Sequence, residues 1–172
     1  MNLREITCVA GFGGKTIGRD GYVRSVNGRI IGGSPNQDGY LQVKNKWGRQ
    51  FLIHRIVAME FVHNPRPDLF KVVDHRNGCP ADNRAENLMW LTPKLNSMNR
   101  RYARLAYFNN RRKRWVGRTC GRTVGRFRTF QEARNAALSV RTILFTQEYK
   151  RQLDEPKRTR NLERFPRRAM LA

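Results

Sequence analysis

Between Thr16 and Ile53 apolar and polar residues alternate in short runs broken by glycine, TIGRDGYVRSVNGRIIGG and then GYLQVKNKWGRQFLIH. This period predicts strands of a twisted antiparallel sheet. Asn27-Gly28, between YVRSV and RII, predicts a two-residue hairpin whose turn positions both have positive φ. In the stretch Tyr40 to Lys46, Leu41 and Val43 alternate with Tyr40, Gln42 and Lys44, so one face packs and the other offers polar and basic groups. The period then changes. HRIVAMEFV, His54 to Val62, spaces Ile56, Val57, Met59, Phe61 and Val62 for a helix packed on one side, and Asn64-Pro65 stops it. His54, which opens this helix, reads as a satisfied structural histidine. FKVVDH reads as a buried strand and RNGCPADNRAE as a loop, in which Asp82 and Asn83 serve as turn formers. Leu88 to Leu91 returns antiparallel, with Trp90 as an apolar anchor. Thr92 as N-cap and Pro93 as first helical residue predict a helix from about Pro93 to Tyr102.

The segment ARLAYFNNRRKRWVGRTCGRTVGRFRTFQEA predicts two or three short strands. A helix from about Phe130 to Phe145 follows. Thr129 and Glu132 form its capping box, and Ala133, Ala136, Ala137, Val140, Ile143 and Leu144 its apolar side. Beyond Glu148 the chain is charged and punctuated by proline, which predicts a basic arm, disordered until a polyanion orders it. The fold class is α+β, in four parts. Residues 1–53 form an N-terminal antiparallel sheet, 54–102 a strand, loop, strand and helix unit, 103–148 a three-stranded sheet plus helix, and 149–172 a basic tail.

Charge says what such a chain meets. Its 172 residues hold 35 Lys and Arg against 13 Asp and Glu, a net charge of +22, with 21 against 5 from Arg100 onward. A basic excess of this size favours a polyanion through counterion release, so nucleic acid is the expected partner. Ribosomal proteins share that composition, so charge alone does not choose between DNA and RNA. A two-stranded ribbon fits the major groove, making Arg29, Lys44, Lys46 and Arg49 candidate DNA contacts; the alternative is an ordinary half-solvated sheet. No run approaches the roughly 18 apolar residues of a membrane span, and the N-terminus lacks a signal-peptide core, so a soluble, intracellular, cytoplasmic protein with no membrane partner is expected. Cys8, Cys79 and Cys120 are odd in number and form no CxxC pair, which argues against a disulfide framework and against a structural zinc site.

Asp74 and His75 close FKVVDH, Asn87 opens NLMWLT, and Asn96 lies on the next predicted helix. A hard oxygen ligand, an imidazole and a second oxygen ligand in that order suit one-metal cleavage of a phosphodiester. A cation on the phosphate offsets charge that grows in the transition state, and an imidazole with a pKa near 6.5 can take a proton from water. The stretch HRIVAMEF…VVDHRNG…DNRAENLMWLTPKLN closely resembles the HNH nucleases, in the form found among phage and intron-encoded homing endonucleases. GYVRS…GYLQV…IH also resembles the N-terminal DNA-binding sheet of that group. The resemblance implies His75 as general base, Asp74 and Asn96 as ligands of one divalent cation, and Asn87 as the side chain that ties the loop to the strand bearing His75. With asparagine at position 96, where many relatives carry histidine, the oxygen pair suits Mg²⁺ or Mn²⁺. It also implies that the strand ends or bulges at Asp74 and His75, because adjacent strand residues face opposite ways.

WVGR…VGRFRTFQEA resembles the AP2-type DNA-binding domain, a three-stranded sheet backed by one helix. That resemblance adds Arg112, Arg114, Trp115, Arg118, Arg126 and Arg128 as candidate DNA contacts. Together these readings predict a metal-dependent, site-preferring nuclease that nicks double-stranded DNA as a monomer and needs no small-molecule cofactor. The alternative is a non-catalytic DNA- or RNA-binding protein on the same scaffold.

Overall fold

The computed structural model describes residues 2–99 and 104–156, which form a mixed α+β architecture of four small sheets and three α-helices. The glycine-punctuated N-terminal stretch makes two sheets rather than one. β1 (Leu3–Glu5), β2 (Thr16–Gly18), β3 (Val23–Arg24) and β4 (Ile30–Ile31) form an antiparallel meander, and β5 (Ser34–Pro35), β6 (Leu41–Lys44) and β7 (Gln50–Leu52) a second. Gly32 and Gly33 separate them, and Pro35, which lacks an N–H to donate, sits on an edge strand.

The hairpin at Asn27-Gly28 is not the two-residue turn that its sequence suggests. Val23 pairs with Ile31 and Arg24 with Ile30, which leaves residues 25–29 in the connection. Gly28 is the left-handed residue there, φ +75°, and its N–H donates to the Ser25 carbonyl at 2.9 Å.

α1 (Ile53–Phe61) buries Ile53, His54, Ile56, Val57 and Ala58, whereas Met59, expected inside, is exposed. Its apolar face joins Ile6, Phe12, Ile17, Val23 and Val43 of the N-terminal sheets to Val73 and Leu88 in one core. Sheets and central unit therefore support each other. β8 (Val72–His75) pairs antiparallel with β9 (Leu88–Leu91) from Val72 opposite Leu91 to His75 opposite Leu88, without a shift in register. α2 (Pro93–Met98) starts at Thr92, whose side chain accepts the Leu95 N–H at 3.2 Å. It ends earlier than expected, and Arg100 to Tyr102 lie outside the described residues.

β10 (Ala106–Asn109), β11 (Arg114–Thr119) and β12 (Arg122–Phe127) form the third antiparallel meander. Cys120 and Gly121, at φ +47° and +76°, make its two-residue turn. α3 (Phe130–Asp154) begins with the Thr129–Glu132 capping box and lays Ala133 and Ala137 on this sheet. A Cβ on Gly117 would stand 2.6 Å from the Ala133 carbonyl oxygen, so strand and helix touch backbone to backbone.

α3 does not stop near Phe145. Its distal turns carry Phe145, Tyr149 and Leu153 onto Phe70, Leu91 and Leu95, a second core belonging to the central unit. Buried Arg66 fastens the helix end there, donating to the carbonyls of Gln152 (2.9 Å), Leu153 (3.2 Å) and Glu155 (2.6 Å) while pairing with Asp68. Residues 149–154, expected to begin a disordered tail, are thus helix. The remainder of that tail, 157–172, lies outside the described residues. No helix among the described residues is long and apolar enough to cross a membrane.

Candidate active site

β8 pairs with β9 in register as far as His75 and ends there. The Asp74 carboxylate is held twice. Oδ1 accepts the His75 backbone N–H at 2.9 Å, and Oδ2 accepts Nδ2 of Asn99 at 2.7 Å. The amide bonded to Asp74 is thus that of Asn99, the C-cap of α2, and not that of Asn96 one turn earlier. Positions three apart share a helix face, so Asn96 belongs to the same side of α2. Asn99 is absent from the sequence-based site, although its spacing from Asn96 is the signal that leads to it.

Asn87, buried, spans the loop between β8 and β9. Its Oδ1 accepts the Asn77 N–H at 2.9 Å, and its Nδ2 donates to Asn77 Oδ1 at 3.0 Å and to the Asp82 carbonyl at 2.8 Å. Asp82 is engaged by Arg84 at 2.8 Å and by Asn77 at 2.6 Å, and its carboxyl falls to about 2, chiefly through the Arg84 guanidinium. It acts as a loop brace.

His75 is only 3% exposed. Its Nε2 lies 3.3 Å from Oδ1 of Asn83, which is equally buried and not a mere turn former. The ring packs against His54, edge to face with centroids 5.0 Å apart, and against Tyr40 at 5.7 Å; Tyr40 and His54 are 5.0 Å apart. His54 is buried as expected but not satisfied, for its Nδ1 has no hydrogen-bond partner. Burial is the largest influence on both imidazoles. It pushes His54 down to about 3, helped by the charges of His75 and Arg55. It also lowers His75, against the opposing pull of Asn83, Asp74 and Asp82. Both rings are neutral near pH 7, the form in which an imidazole accepts a proton. Burial, then the charges of Asp74 and Asp38, raise the Tyr40 hydroxyl.

No group of three or more His, Cys, Asp and Glu side chains among the described residues is arranged to hold a metal ion. What the site offers is one carboxylate, Asp74, bonded to the amide of Asn99, with Asn96 one turn earlier on α2. Hard oxygen donors with a single negative charge fit a cation that keeps several waters and takes phosphate oxygens from a substrate, as Mg²⁺ and Mn²⁺ do; they do not fit structural zinc. A cavity of about 660 Å³ lies elsewhere, between α2, the β11–β12 turn and α3, and Lys94, Arg122, Arg141 and Arg151 are among its lining.

Arg29, Lys44, Lys46 and Arg49 are all exposed on the N-terminal hairpins, and Arg112, Arg114, Arg118, Arg126 and Arg128 on the third meander and its flanks. Trp115 is half-buried; it pairs with Phe127 and packs edge to face between Phe108 and Phe130, on the helix side of its sheet. Trp47 has the opposite placement. It stands 60% exposed at the β6–β7 turn with the Lys46 ammonium 4.7 Å over its ring. Buried Asn45 makes that turn rigid, accepting the N–H groups of Trp47 and Arg49 and donating to the Ala10 carbonyl.

A regular β-hairpin whose first strand ends in Asp-His is closed by a short helix bearing asparagines. Residues 51–98 match the HNH endonuclease family. Over 92 residues, 51% of this chain, the sequence is 40% identical to an uncharacterized HNH endonuclease of Acanthamoeba polyphaga mimivirus. It is 33% identical over 87 residues, 48% of the chain, to the DNA endonuclease I-HmuI of Bacillus phage SP01. The chain spans only 23% and 49% of those relatives' own lengths. A solved structure of the HNH homing endonuclease I-HmuI, concerned with DNA binding and cleavage, aligns over 58% of this chain and 57% of its own, with 30% identity and a TM-score of 0.48.

Proposed function

We propose that the protein is a metal-dependent DNA endonuclease of the HNH type that nicks duplex DNA at preferred sites, acting as a monomer. The observation that carries this reading is the pairing at the end of β8. A carboxylate fixed by two donors adjoins a buried, neutral imidazole whose Nε2 is engaged by Asn83. Nδ1 is then the ring nitrogen left to take a proton from water.

In the proposed reaction His75 removes one proton from a water molecule as its oxygen bonds to phosphorus. The bond from phosphorus to the 3′ oxygen breaks, and that oxygen leaves to be protonated by solvent. Asp74 with Asn96 would hold one Mg²⁺ or Mn²⁺, which when bound supplies charge neutralisation at the phosphate. Asn87 keeps the loop closed over the strand, and Tyr40 and His54 exclude water from one side of the His75 ring. Lys44, Lys46, Arg49 and Arg29 meet DNA on one flank, with Trp47 stacking on a base or sugar. Arg112, Arg114, Arg118, Arg126 and Arg128 meet it on the other, in the manner of an AP2-like sheet.

The net charge of +22 suits a polyanionic polymer rather than a small molecule. The test is conversion of supercoiled plasmid carrying phage sequences to open circles in Mg²⁺ or Mn²⁺. EDTA should stop it, and an Asp74→Ala variant should lack it. Binding without cleavage under every metal and every DNA tried would favour a non-catalytic scaffold.

A further inference from the structure

We infer that Asn83 is a positioning residue for His75: its side-chain oxygen holds Nε2–H and so fixes the ring tautomer that leaves Nδ1 free to act as base. The inference rests on the proposed role of His75 and goes beyond it by naming the group that sets its competent form.

Asn83 has two unusual properties for a residue in a loop of turn formers. It is 3% exposed, and while its Oδ1 faces His75 Nε2 at 3.3 Å, its Nδ2 is buried without a partner. A surface asparagine of a turn would spend both ends on local backbone or water. Keeping this one buried and half satisfied makes sense where the remaining contact is the one that matters. Which nitrogen of an imidazole carries the proton is set by the bond the other nitrogen makes. An amide oxygen is an acceptor only, so the nitrogen facing it must be the donor.

The position of Asn83 is fixed from outside the central unit. The turn joining β2 to β3 reaches over the loop, where the Ala85 N–H donates to the Arg19 carbonyl at 2.8 Å. Gly21, at φ +85°, approaches so closely that a Cβ there would stand 2.7 Å from the Asn83 carbonyl carbon and 2.8 Å from its oxygen. Backbone against backbone leaves no flexible side chain to give way. From the far side Asn87 holds the same loop through Asp82 and Asn77. The N-terminal sheet thus carries a second duty, clamping the residue that orients the base.

The test uses the full-length protein labelled with ¹⁵N-histidine, with the His75 tautomer read by long-range proton–nitrogen correlation and single-turnover cleavage and DNA affinity measured in parallel. Wild type should carry the proton on Nε2. Asn83→Leu should lose that single tautomer and cleave on the order of 100-fold more slowly at unchanged DNA affinity. Asn83→Asp, which keeps an acceptor in place, should restore the tautomer and most of the rate. Gly21→Ala, which leaves Asn83 itself intact, should lower the rate in the same way by displacing its backbone. A wild-type ring protonated on Nδ1, or an Asn83→Leu variant that retains the Nε2–H form, would overturn the inference. If wild type itself fails to cleave, the nuclease reading falls, and the tautomers of wild type and Asn83→Leu still decide whether Asn83 sets them.

Discussion

Asn99 donates its side-chain amide to Oδ2 of Asp74 at 2.7 Å, while the other carboxylate oxygen takes the His75 N–H. The carboxylate that adjoins His75 is therefore oriented by the C-terminal cap of α2. Asn99→Ala should raise the Mg²⁺ concentration needed for half-maximal nicking about 10- to 100-fold, with little change in DNA affinity. A metal titration of the nicking rate checks this; an unchanged midpoint would leave Asp74 oriented without Asn99.

Burial holds His54 near 3, far below the 6.5 of an exposed imidazole, so the unfolded chain binds a proton there that the folded chain refuses. This group's contribution to stability is present above pH 6.5 and is lost as pH falls from there toward 3. Between pH 7 and pH 5 wild type should lose about 2 kcal/mol more than His54→Phe. Denaturant melts of both proteins at the two pH values measure the difference, and parallel losses would contradict it.

The distal half of α3 belongs to the core of the central unit. Ending the chain at Glu148 would strip Tyr149 and Leu153 from Phe70, Leu91 and Leu95, at a cost of about 2–4 kcal/mol. Arg66→Ala should also destabilise the full chain, because the guanidinium joins the helix end to the loop after α1. In the shortened chain the same substitution should matter much less, since the carbonyls it served are gone. Equal effects in both backgrounds would mean that Arg66 acts through Asp68 alone.

In the proposed DNA interface Trp47 and Lys46 would make two kinds of contact. Trp47→Ala should weaken binding by about 1–3 kcal/mol while leaving the salt dependence in place, because stacking releases no counterions. Lys46→Ala should reduce the slope of log affinity against log salt by about one. A Trp47→Ala variant with a flattened slope would show that the ring acts through the ammonium above it.

What sequence alone revealed follows the range of each interaction. The Thr129–Glu132 capping box and the Thr92-Pro93 helix start act within one turn, and both are readable from spacing. Asp74, His75 and Asn87 stand out because unlike residue types fall at fixed intervals. Asn83 does not, because a buried asparagine bonded to an imidazole is spelled like one in a turn. The end of α3 was equally hidden: its polar, weakly amphipathic residues are ordered by Arg66, 86 positions before Gln152. Trp115 and Trp47 look alike in sequence, each beside arginine or lysine, and only the side of the sheet distinguishes a packing ring from an exposed one.

The most direct test is His75→Ala in the full-length protein, with cleavage in Mg²⁺ or Mn²⁺ and DNA affinity measured on the same substrate. Nicking should be abolished and affinity should stay within about twofold of wild type, since a general base acts on the chemical step alone. Nicking at the wild-type rate by His75→Ala would contradict it.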